Sequence, residues 1–217
     1  IPADFVANYK LWLSEMKSLS VREEAGAKII SDLTKRNAVV LIDPTLMLTK
    51  KKWLSIAKPS PYKPSGEYLL TYFLGDISIK YQKKIKNIAM ENKLIIINLA
   101  DINDPNNYIV GPSEFIDYIN SASVLCTDSF HGAVFSILLE TPFILFDRKG
   151  NAPSMNSRID TLLSTFKLET RLDKNINSNE EIFEIDYSHI PPILERERKK
   201  TLNYLKKVLK VKETIEV

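Results

Sequence analysis

The chain has 217 residues, 44% of them hydrophobic and 26% charged, enough to bury one sizeable core or two small ones. Thirty Lys and Arg stand against 27 Asp and Glu, a net charge of +3, and this balance implies neither a nucleic-acid arm nor a strong membrane-directed field. No apolar run reaches the roughly 20 residues of a membrane span, no signal peptide is visible, and the single cysteine, Cys126, excludes an internal disulfide and fits a reducing compartment.

Taken in order, residues 3–17 carry Phe5, Tyr9, Trp12, Leu13 and Met16 at helical spacing, which predicts an amphipathic helix with those side chains inward. Residues 18–22 read as a short strand ending at Arg22. A second helix opens at Glu23 and Glu24, buries Ile29, Ile30 and Leu33, and closes at Lys35 and Arg36. Residues 39–42 form a β-branched strand stopped by Asp43 and Pro44, with Asp43 capping the turn that follows. Arg22, at a strand's end, could clamp a phosphate or carboxylate or pair at the surface with Glu23 or Glu24. Lys50, Lys51 and Lys52 read as a solvated helix face. The chain begins Ile-Pro and its first elements resemble the tail of an α/β unit, so a fragment of a longer protein is expected.

Residues 58–66 hold three prolines and a glycine, composition that excludes helix and central strand and predicts an extended linker. The α/β alternation then restarts: strand 68–74, a turn at Gly75, a helix capped by Asp76 and running to about 91, and an apolar strand 93–99 of the kind buried on both faces of a parallel sheet. A polar loop 100–110 suited to a rim precedes helix 113–122, in which Glu114 is placed for capping and Phe115, Tyr118 and Ile119 face in.

Residues 121–139, S-A-S-V-L-C-T-D-S-F-H-G-A-V-F-S-I-L-L, are the stretch around which the rest is organised. Ser123 opens a buried strand that ends at Thr127, residues 133–139 form a helix, and 128–132 make the turn between them. At such a strand-to-helix turn the helix's unpaired N–H groups and dipole favour an anion. Asp128 or Ser129 can cap the helix, Gly132 allows close backbone approach, and His131 projects from the same corner. An Asp-Ser cap is ordinary and a loop histidine is more often structural than catalytic; the coincidence of cap, glycine and imidazole at one turn is what singles the segment out. A strand 143–146 leads to a polar loop 147–151 containing Arg148, on the same side of the sheet as His131. Helix 156–166 buries Ile159, Leu162, Leu163 and Phe166 and carries Arg158 in its first turn, where the dipole disfavours a cation unless an anion or carboxylate meets it. Residues 168–172 read as a last strand, 173–190 as an irregular acidic segment with a structural His189, and 191 onward as a final helix with Ile193, Leu194, Leu202, Leu205 and Leu209 as its buried stripe.

T-D-S-F-H-G-A-V-F-S-I-L-L-E-T-P-F-I, residues 127–144, resembles the signature segment of the polysaccharide pyruvyl transferase family. S-V-R-E at 20–23, D-P-T-L at 43–46, N-S-R-I-D-T-L-L at 156–163 and L-E-T-R at 168–171 agree with it in order. The resemblance implies an α/β fold of Rossmann-like parallel sheets in a GT-B-like arrangement. Residues 1–58 would be the closing portion of an N-terminal α/β domain, 59–66 a linker, and 67–217 a C-terminal Rossmann-like domain whose final helix can pack back on the N-terminal part. It also implies a bacterial, cytoplasmic enzyme of exopolysaccharide biosynthesis, at most peripheral to the inner face of the membrane, with no transmembrane segment and no nucleic-acid partner. Phosphoenolpyruvate would be the donor and a saccharide, lipid-linked ones included, the acceptor; no cofactor and no metal are needed. Arg22 and His131 are the expected catalytic residues, with Ser129, Gly132, Arg158 and Arg148 binding substrate. Two alternatives stand beside this: a GT-B glycosyltransferase using a nucleotide sugar, for which Glu140 is the one hint of a donor-binding carboxylate, and a non-catalytic glycan-associated module.

Overall fold

Short apolar strands that end in polar turns and are each followed by a helix can pair only in parallel, because the helix returns the chain to the starting edge. The computed structural model, which describes residues 1–149 and 156–211, pairs every named strand in parallel. The chain divides into two compact units, one formed by 1–47 with 191–217 and the other by 48–190.

In the first unit a 3-10 turn, Ala3–Phe5, leads into α1 (Val6–Glu15). β1 (Ser20–Val21), α2 (Glu24–Thr34) and β2 (Val39–Val40) follow, with Ser20 opposite Val39 and Val21 opposite Val40. Lys35 ends α2 in the left-handed conformation, φ 58°. Arg36 then turns its guanidinium onto the Leu13 and Ser14 carbonyls at 2.5 and 3.0 Å, placing a cation at the negative end of α1. α1 departs from its expected amphipathic burial: none of its residues is buried, and Phe5, Tyr9, Trp12 and Met16 are all exposed. Of the expected α2 face only Ile30 is fully buried, and Ile29 is exposed. The final helix, Ile190–Leu209, buries Ile193 and Leu194 but leaves Leu202, Leu205 and Leu209 exposed.

The second unit begins with α3 (Lys50–Leu54), in which Lys51 and Lys52 are solvated as expected while Lys50 caps a carbonyl elsewhere in the unit. Residues 59–66, expected as a linker, lie within this unit: Ser60 is buried, Lys63 pairs with Asp117 and donates to the Ser121 hydroxyl at 3.0 Å. β3 (Tyr68–Tyr72), α4 (Ile79–Glu91), β4 (Ile95–Asn98), α5 (Pro105–Tyr108), α6 (Pro112–Ser121), β5 (Val124–Thr127), α7 (Phe130–Leu139) and β6 (Phe143–Leu145) then build a sheet of order β4-β3-β5-β6. After it come α8 (Asn156–Phe166) and α9 (Glu180–Phe183). In this doubly wound, Rossmann-like order the chain reverses direction between β3 and β5, the point at which such sheets open a crevice at their carboxyl edge.

Side chains alternate across the strands. Leu69, Val124, Cys126 and Ile144 pack with Tyr81, Ile85, Ile88 and Ala89 of α4, whereas α6 and α7 pack on one another. Cys126 is fully buried, and burial pushes its thiol far above the usual range, so its place is in the core.

Several local expectations change. Ser78, not Asp76, caps α4, its hydroxyl accepting from the Tyr81 N–H at 3.3 Å. β4 is an edge strand with Ile95 and Ile96 exposed, and not the strand buried on both faces that its apolar sequence suggests. Residues 169–171 form a 3-10 turn, and Leu172 makes only an isolated bridge to Leu145. Within that turn Arg171 is buried, and its guanidinium donates to the carbonyls of Phe143, Glu181 and Ile182 at 3.0, 2.6 and 3.3 Å and so ties three segments together. Burial lowers its pKa, a cost those hydrogen bonds offset. His189 is structural, its Nε2 lying 2.8 Å from the Phe166 carbonyl. α8 buries the four expected residues, Ile159, Leu162, Leu163 and Phe166. No helix among the described residues is long and apolar enough to cross a membrane.

Candidate active site at the carboxyl edge of the second sheet

The turn between β5 and α7 is shorter than its sequence suggests. α7 starts at Phe130, so only Asp128 and Ser129 separate strand from helix, and His131 and Gly132 stand in the helix's first turn. Ser129 is the cap: its hydroxyl accepts from the Gly132 N–H at 3.3 Å, and its own N–H donates to Thr127 Oγ1 at 2.9 Å. Thr127 Oγ1 in turn donates to the Tyr72 carbonyl, which fastens the corner to β3. A glycine inside a helix costs about 1 kcal/mol against alanine. Here a Cβ on Gly132 would lie 3.0 Å from Thr127 Oγ1 and 3.1 Å from its Cγ2, so glycine lets the helix approach the strand without displacing the Thr127 side chain that fastens the corner.

From Val124 to Leu139 every residue is buried except His131. Burying an apolar side chain is worth about 1.5 to 3 kcal/mol, so packing alone fixes this strand and helix and leaves one polar side chain at the surface. The imidazole packs edge to face with Phe130, ring centroids 5.3 Å apart. It stands on the rim of a cavity of about 640 Å³ whose walls include Tyr72, Leu74, Leu99, Tyr108, Phe115 and Ser129.

Asp128 does not cap α7. Its carboxylate is 1% exposed and reaches across the crevice, accepting from the N–H groups of Leu74 at 2.7 Å and Gly75 at 2.9 Å. Arg148, in the loop after β6, closes the arrangement by donating from Nε to the Asp128 carboxylate at 3.2 Å and from Nη2 to the Asp128 carbonyl at 3.1 Å. The N–H groups of Leu74 and Gly75, which follow β3 at this switch point, are therefore already occupied by an internal carboxylate. A Cβ on Gly75 would sit 2.6 Å from the Lys149 carbonyl and 2.8 Å from Arg148 Cγ, so this glycine sets how closely the two loops meet. Sequence reasoning missed Asp128's reach and the role of Leu74 and Gly75; the glycine directly after an apolar strand was the one available signal.

Of the expected site residues, Ser129, His131, Gly132 and Arg148 meet around this turn. Arg148 is 11% exposed and two of its nitrogens are committed to Asp128. Arg158 lies in the first turn of α8, partly buried. Gly150 and Asn151, part of the expected polar loop, lie outside the described residues. Glu140 ends α7 with φ 61° and pairs with Lys50 at 2.6 Å, about 14 Å along the helix from His131.

Arg22 belongs to the first unit. It follows β1 and pairs with Asp43, whose carboxylate also accepts from the Thr45 N–H at 2.9 Å. Burial works to raise the Asp43 pKa, but hydrogen bonds from Thr45 and the Arg22 guanidinium outweigh it and hold the carboxyl below its usual range. Asp43 thus caps its turn as expected and also holds Arg22, whose side chain remains 41% exposed. Among the described residues no group of three or more His, Cys, Asp or Glu is arranged to hold a metal ion.

No curated protein and no solved structure matches the chain. A family model of polysaccharide pyruvyl transferases matches residues 4–150, which include both the Arg22–Asp43 pair and the whole of the β5–α7 corner. The match covers more than half of the chain, and the chain belongs to the polysaccharide pyruvyl transferase family.

Proposed function

We propose that the protein transfers the pyruvyl group of phosphoenolpyruvate to two hydroxyls of a sugar in a cell-surface polysaccharide or its precursor, giving a cyclic ketal. The observation that carries this reading is His131: one exposed imidazole in an otherwise buried stretch of sixteen residues, at the first turn of α7 and on the rim of a cavity. Protonation of the donor at C3 makes C2 electrophilic. One hydroxyl adds to C2 and loses its proton, the C2–O bond to phosphate breaks, and the second hydroxyl adds and loses its proton. Of the two protons released, one replaces that delivered to C3 and the other leaves with inorganic phosphate.

Imidazole exchanges protons near neutral pH, which suits His131 to the transfer at C3 or at a hydroxyl. Ser129 and Gly132 shape the corner from which it projects. Arg22, with part of its guanidinium exposed beside Asp43, is suited to clamp the donor's phosphate or carboxylate, and Arg158 is a further cation for the same purpose. Arg148 acts through Asp128 as a positioning residue. The GT-B-like pairing of two α/β domains, with lipid-linked acceptors at the inner face of the membrane, belongs to this same reading. A nucleotide-sugar glycosyltransferase is the weaker alternative, since Glu140 caps the far end of α7 and is held by Lys50.

The test is phosphate release from phosphoenolpyruvate in the presence of a saccharide acceptor by the natural full-length chain. His131→Ala is expected to lower the rate by about 10² or more while leaving the thermal midpoint in place, because the side chain packs on the surface. Wild-type turnover in that variant would remove His131 from the chemistry.

A further inference from the structure

The cavity beside His131 has walls of the wrong character for the donor. Phosphoenolpyruvate carries a phosphate and a carboxylate, yet no Lys or Arg is among the described residues that line this space, and ionic groups are costly to desolvate without a partner. Its walls are instead aromatic and aliphatic, with side-chain polar groups that are uncharged hydroxyls, on Tyr72, Tyr108 and Ser129, and the imidazole of His131. A volume of about 640 Å³ lies within the range of small-ligand sites.

The aromatic wall is built with some care. Tyr72 and Phe115 meet edge to face at 4.9 Å, and Phe115 continues to Phe135 at 6.0 Å. Tyr108 faces the same space from α5, a single turn that would be unstable alone. Asp104 holds that turn by accepting from the Asn106 and Asn107 N–H groups at 3.2 and 3.3 Å and from the Asn107 amide at 2.7 Å. Asn107 is itself buried and accepts from the Tyr118 hydroxyl at 3.0 Å. Tyr108, a residue 53% exposed, is thus presented on a fixed platform.

We infer that this groove is the saccharide acceptor subsite, with Tyr108 as its stacking platform. This rests on the proposed reaction. An uncharged pyranose has an apolar face of C–H bonds that packs on an aromatic ring, and hydroxyls that would point to Ser129 and His131. The doubly charged donor is then left to cations outside the groove.

Two measurements test it. In the transfer assay Tyr108→Ala should raise the acceptor KM roughly fivefold with the phosphoenolpyruvate KM unchanged, and Tyr108→Phe should restore it. A raised donor KM with the acceptor KM unmoved would overturn the assignment. Independently of turnover, saturation-transfer NMR with methyl glycosides of hexoses and N-acetylhexosamines should show signals on the wild-type protein that fade in Tyr108→Ala and return in Tyr108→Phe. If the enzyme transfers no pyruvyl group but those signals depend on Tyr108, the proposed reaction falls and the saccharide site stands. Signals indifferent to Tyr108, or none with any glycoside, would sink the site while leaving the reaction to be judged on His131.

Discussion

Each unit of the molecule carries an arginine paired with a buried aspartate beyond the carboxyl ends of two neighbouring parallel strands, and the two pairs differ in what they leave open. In the first unit Arg22, after β1, meets Asp43, after β2; the aspartate is 2% exposed and the arginine 41%. In the second, Arg148, after β6, meets Asp128, after β5, at 1% and 11%. Asp128 spends its oxygens on Leu74, Gly75 and Arg148, so this pair is a brace that closes the crevice from within. Asp43 spends its oxygens on Thr45 and Arg22 and leaves part of the guanidinium in water. The same residue types at the same kind of place make a structural lock in one unit and a candidate ligand clamp in the other, and burial of the arginine is the difference.

Removing the aspartates separates the two most sharply. Asp128→Ala strands a buried guanidinium and two backbone N–H groups and should destabilise the protein by about 3 kcal/mol or more, whereas Asp43→Ala leaves an arginine that water can solvate and should cost about 1 kcal/mol. Urea denaturation of both variants checks this, and equal losses would break the distinction. Replacing the arginine of the open pair should act on activity instead. Arg22→Ala is expected to lower pyruvyl transfer at least about tenfold at a stability cost of the same order as that of Asp43→Ala, since Asp43 keeps its Thr45 hydrogen bond, and a variant that loses stability while keeping wild-type transfer would make Arg22 structural. The smallest effect concerns pH. Because the folded-state pKa of Asp43 is held below the ordinary value of 3.8, its pairing stabilises the fold above that value and the contribution is lost as pH falls through the lower, folded one. Asp43→Asn should therefore give a shallower acid limb in a denaturation series below about pH 4, and an unaltered limb would show that the pair adds nothing to acid stability.

The corner around His131 was legible because its signals are local. A buried strand, a capping serine, a glycine and an apolar helix follow one another within twenty residues, and each is set by its neighbours in the chain. The Asp43 turn was legible for the same reason, whereas Arg22, whose expected surface partners were Glu23 and Glu24, meets Asp43 twenty-one residues further on. Asp128 was not, since both Asp128 and Ser129 satisfy the local requirements of a helix cap and only the approach of the β3–α4 loop decides which one turns away. Tyr108 escaped notice inside a polar loop, where no period marks a residue that lines a cavity. β4 was misjudged because an all-apolar strand looks alike at the centre and at the edge of a sheet.

By itself, then, the order of residues determined the alternation of strands and helices, the parallel sheet that alternation demands, and the single corner where cap, glycine and imidazole coincide, because hydrophobic period and turn chemistry act over a few residues. Only the tertiary structure decided which of two arginines stays open to solvent, which aspartate braces the crevice, and that the space beside His131 has uncharged aromatic walls. Those outcomes depend on partners twenty to fifty-four residues away in the chain, and a local pattern records which face of an element is apolar without recording what will cover it.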